Sequence, residues 1–262
     1  MIFSIKKIKN LPTQKDSIWV KNRFLFFGIS LLFFFSCQNT DKRNIKDYYY
    51  PLDDWTQGVV YEYHPINNDA YPIEFWFFEK IKTDTATYLT GKYFDNNFVL
   101  KQYFKAELVR NGVLMDDYTL VEYDSLGNMS TRPAEILAAN SFPFEVKDST
   151  GLFLFKLRWK NPAAKDAYLE LVRNRRFQGD ATYFFKNKSY DAVTFNVKEL
   201  VDDYNEGHLE QQYDGKEIYA KHLGLIYYRK EIGENFVLEY ELVDTFSRAV
   251  FEEKIKNNYW NE

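Results

Sequence analysis

The residues able to do chemistry in this 262-residue chain are few and scattered. Its three histidines, His64, His208 and His222, stand far apart, and none has a partner at metal-ligand spacing. Glycine totals 11, with no phosphate-cradling loop, so neither a metal nor a cofactor is expected. No Gly-x-Ser-x-Gly elbow is present to hold a serine nucleophile. Acidic doublets stand at Asp53-Asp54, Asp116-Asp117 and Asp202-Asp203. A glycosidase needs two carboxylates across a cleft, but neighbours on a strand point to opposite faces. The doublets therefore read as turn or edge residues.

Three side chains stand out as ligand-binding candidates: Asp117, Trp55 and Trp76. Asp117 falls on an apolar strand face in the register derived below, where a carboxylate needs partners or a raised pKa. Trp55 and Trp76 are aromatic platforms of the kind that stack on sugar rings, although core packing is the preferred reading for Trp76, as for Trp159. Trp260 completes the tryptophans of the C-terminal part. Asn128-Met129-Ser130 fits the N-glycosylation pattern. Asp84-Thr85-Ala86, Asp124-Ser125-Leu126 and Asp148-Ser149-Thr150 resemble the O-glycosylation triplets of exported Bacteroidota proteins.

One chemical site is addressed by its surroundings. Lys6, Lys7, Lys9, Lys15, Lys21 and Arg23 lead into an apolar run from Phe24 to Phe35, then Ser36 and Cys37. A basic lead, a short apolar run and a small residue make a secretory signal. The run covers 12 positions, too few for a membrane span of ~20 residues. Phe34-Phe35-Ser36-Cys37 resembles a bacterial lipobox, with Phe at two positions where Leu and a small residue are usual. The Phe-rich run ending in Ser-Cys is similar to lipoproteins of the Bacteroidota. That resemblance implies removal of residues 1–36 and acylation of Cys37, which anchors the protein to a membrane. Gln38, where an Asp would signal inner-membrane retention in some bacteria, favours the outer membrane.

Cys37 is the only cysteine, so disulfides, thiolate metal sites and thiol nucleophiles are excluded from the rest of the chain. Six of the 34 basic and one of the 38 acidic residues precede it, leaving 28 against 37, a net charge of −9. Such a balance repels phosphate backbones, and no nucleic-acid partner is expected.

The elements that must position any site read as strands. Residues 37–47 are polar and expected to form a tether, with residues 48–262 as one β-rich domain. From Tyr48 onward, short aromatic and β-branched runs alternate with Gly, Asn and Asp. Aromatic residues make up 19% of the chain, with 24 Phe and 21 Tyr. The pattern predicts an all-β fold: a single antiparallel meander whose strongly curved sheet forms a barrel or half-barrel. Turns are expected at Asn67-Asn68-Asp69, Asp95-Asn96-Asn97, Asp214-Gly215 and Gly233-Glu234-Asn235, and most clearly at Asn111-Gly112. A two-residue type I′ loop there pairs positions that sum to 223. It sets Asp117 opposite Ala106 and Lys101 opposite Glu122, with Tyr118 on the wet face. Brief helices are expected at 134–139 and 162–168, and a last strand at 248–255.

The segment from Ile218 to Tyr228 is similar to a Tyr-Ala-x-x-x-Gly-Leu stretch of uncharacterised β-rich envelope lipoproteins of Bacteroidota, whose chains also open with a Tyr-rich strand like Val59–Tyr63. The family brings no catalytic residues. The reading that follows is a lipid-anchored envelope lipoprotein with a non-catalytic β-sheet domain that binds an apolar ligand, a lipid or a partner protein. Alternatives are an envelope hydrolase acting on polysaccharide or peptidoglycan, with a glycan as its partner, and a scaffold subunit of an outer-membrane complex.

Overall fold

The computed structural model describes residues 42–259 apart from 67–69, 148–150, 162–163, 165 and 235. Cys37 and Trp260, the Asn67–Asp69 turn, the Asp148–Thr150 triplet and much of the 162–168 segment lie outside the described residues.

The strands, in chain order, are β1 (Arg43–Asn44), β2 (Val59–Pro65), β3 (Glu74–Lys82), β4 (Thr87–Phe94) and β5 (Leu100–Val109). They continue with β6 (Gly112–Tyr123), β7 (Met129–Pro133), β8 (Glu135–Pro143), β9 (Glu145–Val146) and β10 (Phe153–Lys160). The last five are β11 (Tyr168–Phe185), β12 (Lys188–Tyr204), β13 (His208–Ala220), β14 (Gly224–Gly233) and β15 (Phe236–Ser247), followed by helix α1 (Arg248–Tyr259). Every pairing is antiparallel. Around the ring the order is β5-β4-β3-β2-β15-β14-β13-β12-β11-β10-β8-β6, and β6 pairs back onto β5. The sheet is thus a closed meander barrel, with β7 as a flap on the outer half of β6. The seam is narrow: β8 meets β6 only along Gly112–Leu114.

Sequence periodicity explains which face goes where. In β2 and β3, Tyr61, Tyr63, Trp76 and Phe78 belong to the interior core, while Val60, Phe75 and Phe77 form a second cluster with Phe251 of α1. Both faces are covered there, so Phe75-Trp76-Phe77-Phe78 is apolar throughout instead of alternating. A third cluster, Phe155, Leu157 and Trp159, packs with Tyr118, Leu120 and Ile136 beside the seam.

Several expectations are corrected. Residues 42–47 belong to the fold: β1 pairs with β9, and Ile45 is fully buried with its N–H donating to the Phe144 carbonyl at 2.8 Å. Its apolar side chain, isolated among polar neighbours, is the anchor of that segment. Residues 248–255 are helical because Phe251 and Ile255 share one face and Arg248 pairs with Glu252 at i,i+4. The Ser247 hydroxyl accepts from the Val250 N–H at 3.4 Å as an N-terminal cap. Residues 134–139 fall mostly in β8, where Ile136 pairs with Leu157. Asp214-Gly215 is no turn but the middle of β13. A Cβ on Gly215 would lie 2.5 Å from the Arg229 carbonyl, so the glycine admits the β14 backbone.

The β5–β6 hairpin is corrected most. Val109 pairs with Gly112, so the loop residues are Arg110 and Asn111, and neither takes a positive φ. Gly112 lies in the strand because a Cβ there would sit 2.6 Å from the Phe142 carbonyl of β8. A register shift then falls between Lys105 and Ala106. It sets Asp117 opposite Lys105 and brings Tyr118 opposite Phe104 on the interior face. Lys101 pairs with Asp95 at 3.3 Å, and Glu122 with Arg132 at 2.7 Å. The left-handed two-residue turn is instead Lys186-Asn187, with φ of 47° and 61°, joining β11 to β12.

Candidate functional site in the barrel interior

Eight strands close a barrel that side chains just fill, and wider rings leave room for a ligand. Here the aromatic side chains fill most of the lumen and leave a cavity of about 350 Å³, within the ~300–1,000 Å³ of ligand sites. The segment after β1 contributes Tyr49 and Tyr50 to its lining. Tyr50 packs against Phe78 at 4.5 Å and Tyr61 at 5.5 Å between ring centroids.

One wall is aromatic. Trp76 stacks on Tyr93 at 5.2 Å and on Phe78 at 5.9 Å, and Phe104 lies 6.0 Å from it. Phe104 covers Gly91 on the neighbouring strand, where an ideal Cβ would come 2.2 Å from its ring. Gly91 therefore determines where the wall stands. Met115, Phe155 and Leu171 extend the apolar lining toward the seam.

The opposite wall is ionic. Arg173 and Arg175 sit on β11 at the same inward parity as Leu171 and Phe177, Glu199 on β12, Glu217 on β13 and Lys230 on β14. Arg175 grips Glu217 with two hydrogen bonds, Nε to Oε2 at 2.6 Å and Nη2 to Oε1 at 3.0 Å, and its Nη1 donates to the Ser141 carbonyl at 2.8 Å. The Tyr219 hydroxyl donates to the same carboxylate at 3.0 Å. Both partners are buried, and every charged edge is met. Burial pushes the Glu217 carboxyl up, but the Arg175 charge outweighs it and the pKa falls below the ordinary value.

Glu199 has two cationic partners. Arg173 donates from Nε at 2.8 Å and Nη2 at 2.6 Å to Oε2, and Lys230 donates to Oε1. Burial again opposes ionisation, yet Arg173 and Lys230 together hold the Glu199 pKa at about 2. Glu199 itself is 6% exposed, whereas the Arg173 and Lys230 side chains keep 33% and 31% of their surface open.

A third polar group, Glu74, faces the cavity from β3. It accepts from Trp76 Nε1 at 3.3 Å and from the Tyr228 and Tyr93 hydroxyls. Burial dominates here and raises its pKa above the ordinary value despite these donors. Burial likewise lifts the Tyr63 and Tyr228 phenols well above theirs.

Of the three ligand-binding candidates, the structure brings only Trp76 to this site. Trp55 lies behind the wall, stacked on Phe78 at 6.3 Å. Asp117 is not among the lining residues; it accepts from the Thr119 hydroxyl at 3.3 Å and stands opposite Lys105 in the register, whose ammonium pairs with Asp116 at 2.5 Å. Trp159 is buried in the seam cluster. Asp124 caps its own turn, accepting from the Leu126 and Asn128 backbone, and its other oxygen takes the Asn128 side-chain amide at 2.8 Å. His64 meets Glu62 at 2.7 Å. His208 Nδ1 donates to Asp202 Oδ2 at 2.8 Å, and with Glu210 the three possible ligand atoms lie within 4.8 Å of one another on the β12–β13 hairpin. The hairpin turn between β12 and β13 thus brings Asp202 beside His208 and Glu210, which stand two apart on one strand face.

The residues missed are Arg173, Arg175, Glu199, Glu217, Lys230 and Glu74. A signal was present: in Leu171-Val172-Arg173-Asn174-Arg175-Arg176-Phe177, Arg173 and Arg175 occupy the same alternate positions as Leu171 and Phe177.

No protein family and no curated protein matches this sequence. Among solved structures, the barrel is similar to a candidate lipoprotein from Parabacteroides distasonis ATCC 8503, with 10% identity, 74% of this chain and 95% of that chain covered, and a TM-score of 0.46. It is also similar to a candidate exported protein with a YmcC-like fold from Bacteroides fragilis NCTC 9343, with 10% identity, 73% and 97% coverage and a TM-score of 0.48.

Proposed function

We propose that this chain is a lipid-anchored envelope lipoprotein, held at the outer membrane through acylated Cys37, whose barrel binds a small amphiphile without transforming it. The observation that carries the binding part is the interior cavity with an aromatic wall facing a cationic one. Binding is favoured over hydrolysis by the state of the lining carboxylates, all of which are engaged. Glu199 and Glu217 are held in ion pairs, Asp214 meets Lys198 at 3.4 Å, and Glu74 is ringed by neutral donors.

Trp76 supplies a direct test. A dodecyl amphiphile brominated along its chain quenches tryptophan on contact. Quenching of the full-length protein is expected to saturate, to persist in Trp55→Phe and to disappear in Trp76→Phe. Quenching that survives Trp76→Phe would place the probe elsewhere and remove this reading. Anchoring is tested separately by metabolic labelling with radioactive palmitate: label is expected in the wild type and absent in Cys37→Ser.

A further inference from the structure

We infer that the ligand of this cavity carries a single carboxylate head, seated between Arg173 and Lys230, on an elongated apolar body lying along Trp76 and Phe104. The inference rests on the binding reading above and names the class of ligand.

The ionic wall is not balanced. Arg175 and Glu217 neutralise each other and use their hydrogen-bonding edges on one another, Ser141 and Tyr219. Arg173 and Lys230 share the single carboxylate of Glu199, so this half of the wall has one surplus positive charge. The unspent donors are on the same two residues. Arg173 meets Glu199 through Nε and Nη2, leaving Nη1 with no acceptor among the described residues. Lys230 gives one of its three protons to Glu199, and its ammonium lies 4.1 Å over the Tyr213 ring.

Both side chains remain about one-third open, so their free donors are accessible from the cavity. A ligand that fills the cavity excludes solvent from them. A neutral head would leave a desolvated unit charge without compensation, and a cationic head would add to it. A carboxylate supplies one negative charge and acceptors for a planar guanidinium edge and an ammonium together. Tyr118 lies beside Arg173 with Gln102 bonded to its hydroxyl, and Met115 and Phe155 continue the apolar lining from there. Head and body sites are therefore contiguous.

The test uses the full-length protein in envelope vesicles. Three photoreactive dodecyl probes share one diazirine position and differ only in the head: carboxylate, alcohol or trimethylammonium. Adducts are mapped by peptide mass spectrometry. The carboxylate probe is expected to label the Trp76 and Phe104 peptides about tenfold more than the alcohol, the ratio one charge-assisted hydrogen bond confers. The trimethylammonium probe should label them least. Lys230→Gln leaves the Arg173–Glu199 pair in place and should bring the carboxylate-to-alcohol ratio toward unity, with Lys230→Arg restoring it. Should Lys230→Gln fail to fold, Arg173→Gln, which leaves the Lys230–Glu199 pair in place and likewise removes the surplus charge, reads the same ratio. Equal labelling by carboxylate and alcohol, or a ratio unmoved by these variants, would overturn the carboxylate assignment while leaving the cavity a binding site. Cavity peptides labelled by none of the three probes would overturn the binding reading itself.

Discussion

Glu199 is the residue whose behaviour most sharply reports the interior of the barrel. Its carboxyl, ordinarily at 4.5, is held at about 2 by Arg173 and Lys230 against the pull of burial. A folded pKa below the unfolded one means the contribution is fully present above pH ~4.5 and is lost as pH falls through ~2. A shift of that size corresponds to about 3 kcal/mol. Urea unfolding of the wild type is therefore expected to lose about that much more stability between pH 5 and pH 2 than Glu199→Gln does. Equal losses in the two proteins would mean that the ion pair is not closed in solution. Arg175 and Glu217 make the complementary case, because both are buried. Arg175→Met alone strands Glu217 and should cost ~3–5 kcal/mol, whereas Arg175→Met with Glu217→Leu should recover most of it. A double-mutant cycle by chemical denaturation measures the difference.

At the scale of the element, the β5–β6 hairpin shows what local sequence reveals and what it does not. Asn-Gly is a strong hairpin signal, and a hairpin is there. Its register follows from a contact the dipeptide cannot know: Gly112 is pressed against the Phe142 carbonyl of β8, thirty residues on. Gly112→Ala is accordingly expected to cost more than 1 kcal/mol, the ordinary loss for a glycine in a strand being smaller and of opposite sign. Asn111→Ala, at a loop position without positive φ, should cost less than half as much. Thermal melts of the two variants decide it, and a larger effect at Asn111 would return the glycine to the turn. Helix α1 is the converse case. Its Ser247 cap, Arg248–Glu252 pair and Phe251/Ile255 spacing were all legible, but the aromatic run before it invites continuation of the strand. Ser247→Ala should weaken the protein by ~1 kcal/mol.

Strand existence was legible because aromatic and β-branched runs are bounded by Gly, Asn and Asp, and the all-β meander follows from them. Strand length was not. Gly179 and Gly215 look like breaks but serve a bulge and a close backbone approach within β11 and β13. The site was hidden for a related reason. Arg173 and Arg175 share the parity of Leu171 and Phe177, but which face is interior, and which carboxylates of β12 and β13 meet them, is fixed only by the cross-strand register. Trp76 was legible by type alone.

On the scale of the whole molecule, closure explains the aromatic composition. A twelve-strand ring is too wide to be filled by Val and Leu, so Phe and Tyr reach across it, and what they leave is a cavity lined by Trp76 on one side and Arg173 on the other. Filling that space should abolish ligand uptake without opening the barrel. Met115→Trp projects a larger ring into the cavity from β6, at an expected cost of ~1–3 kcal/mol in stability. Native mass spectrometry of the protein purified from its own envelope tests the central claim most directly. The wild type is expected to carry an added mass that leaves on denaturation, and Met115→Trp is expected to lack it. An unliganded wild type, or an added mass retained equally by Met115→Trp, would contradict the assignment of the barrel interior as the binding site.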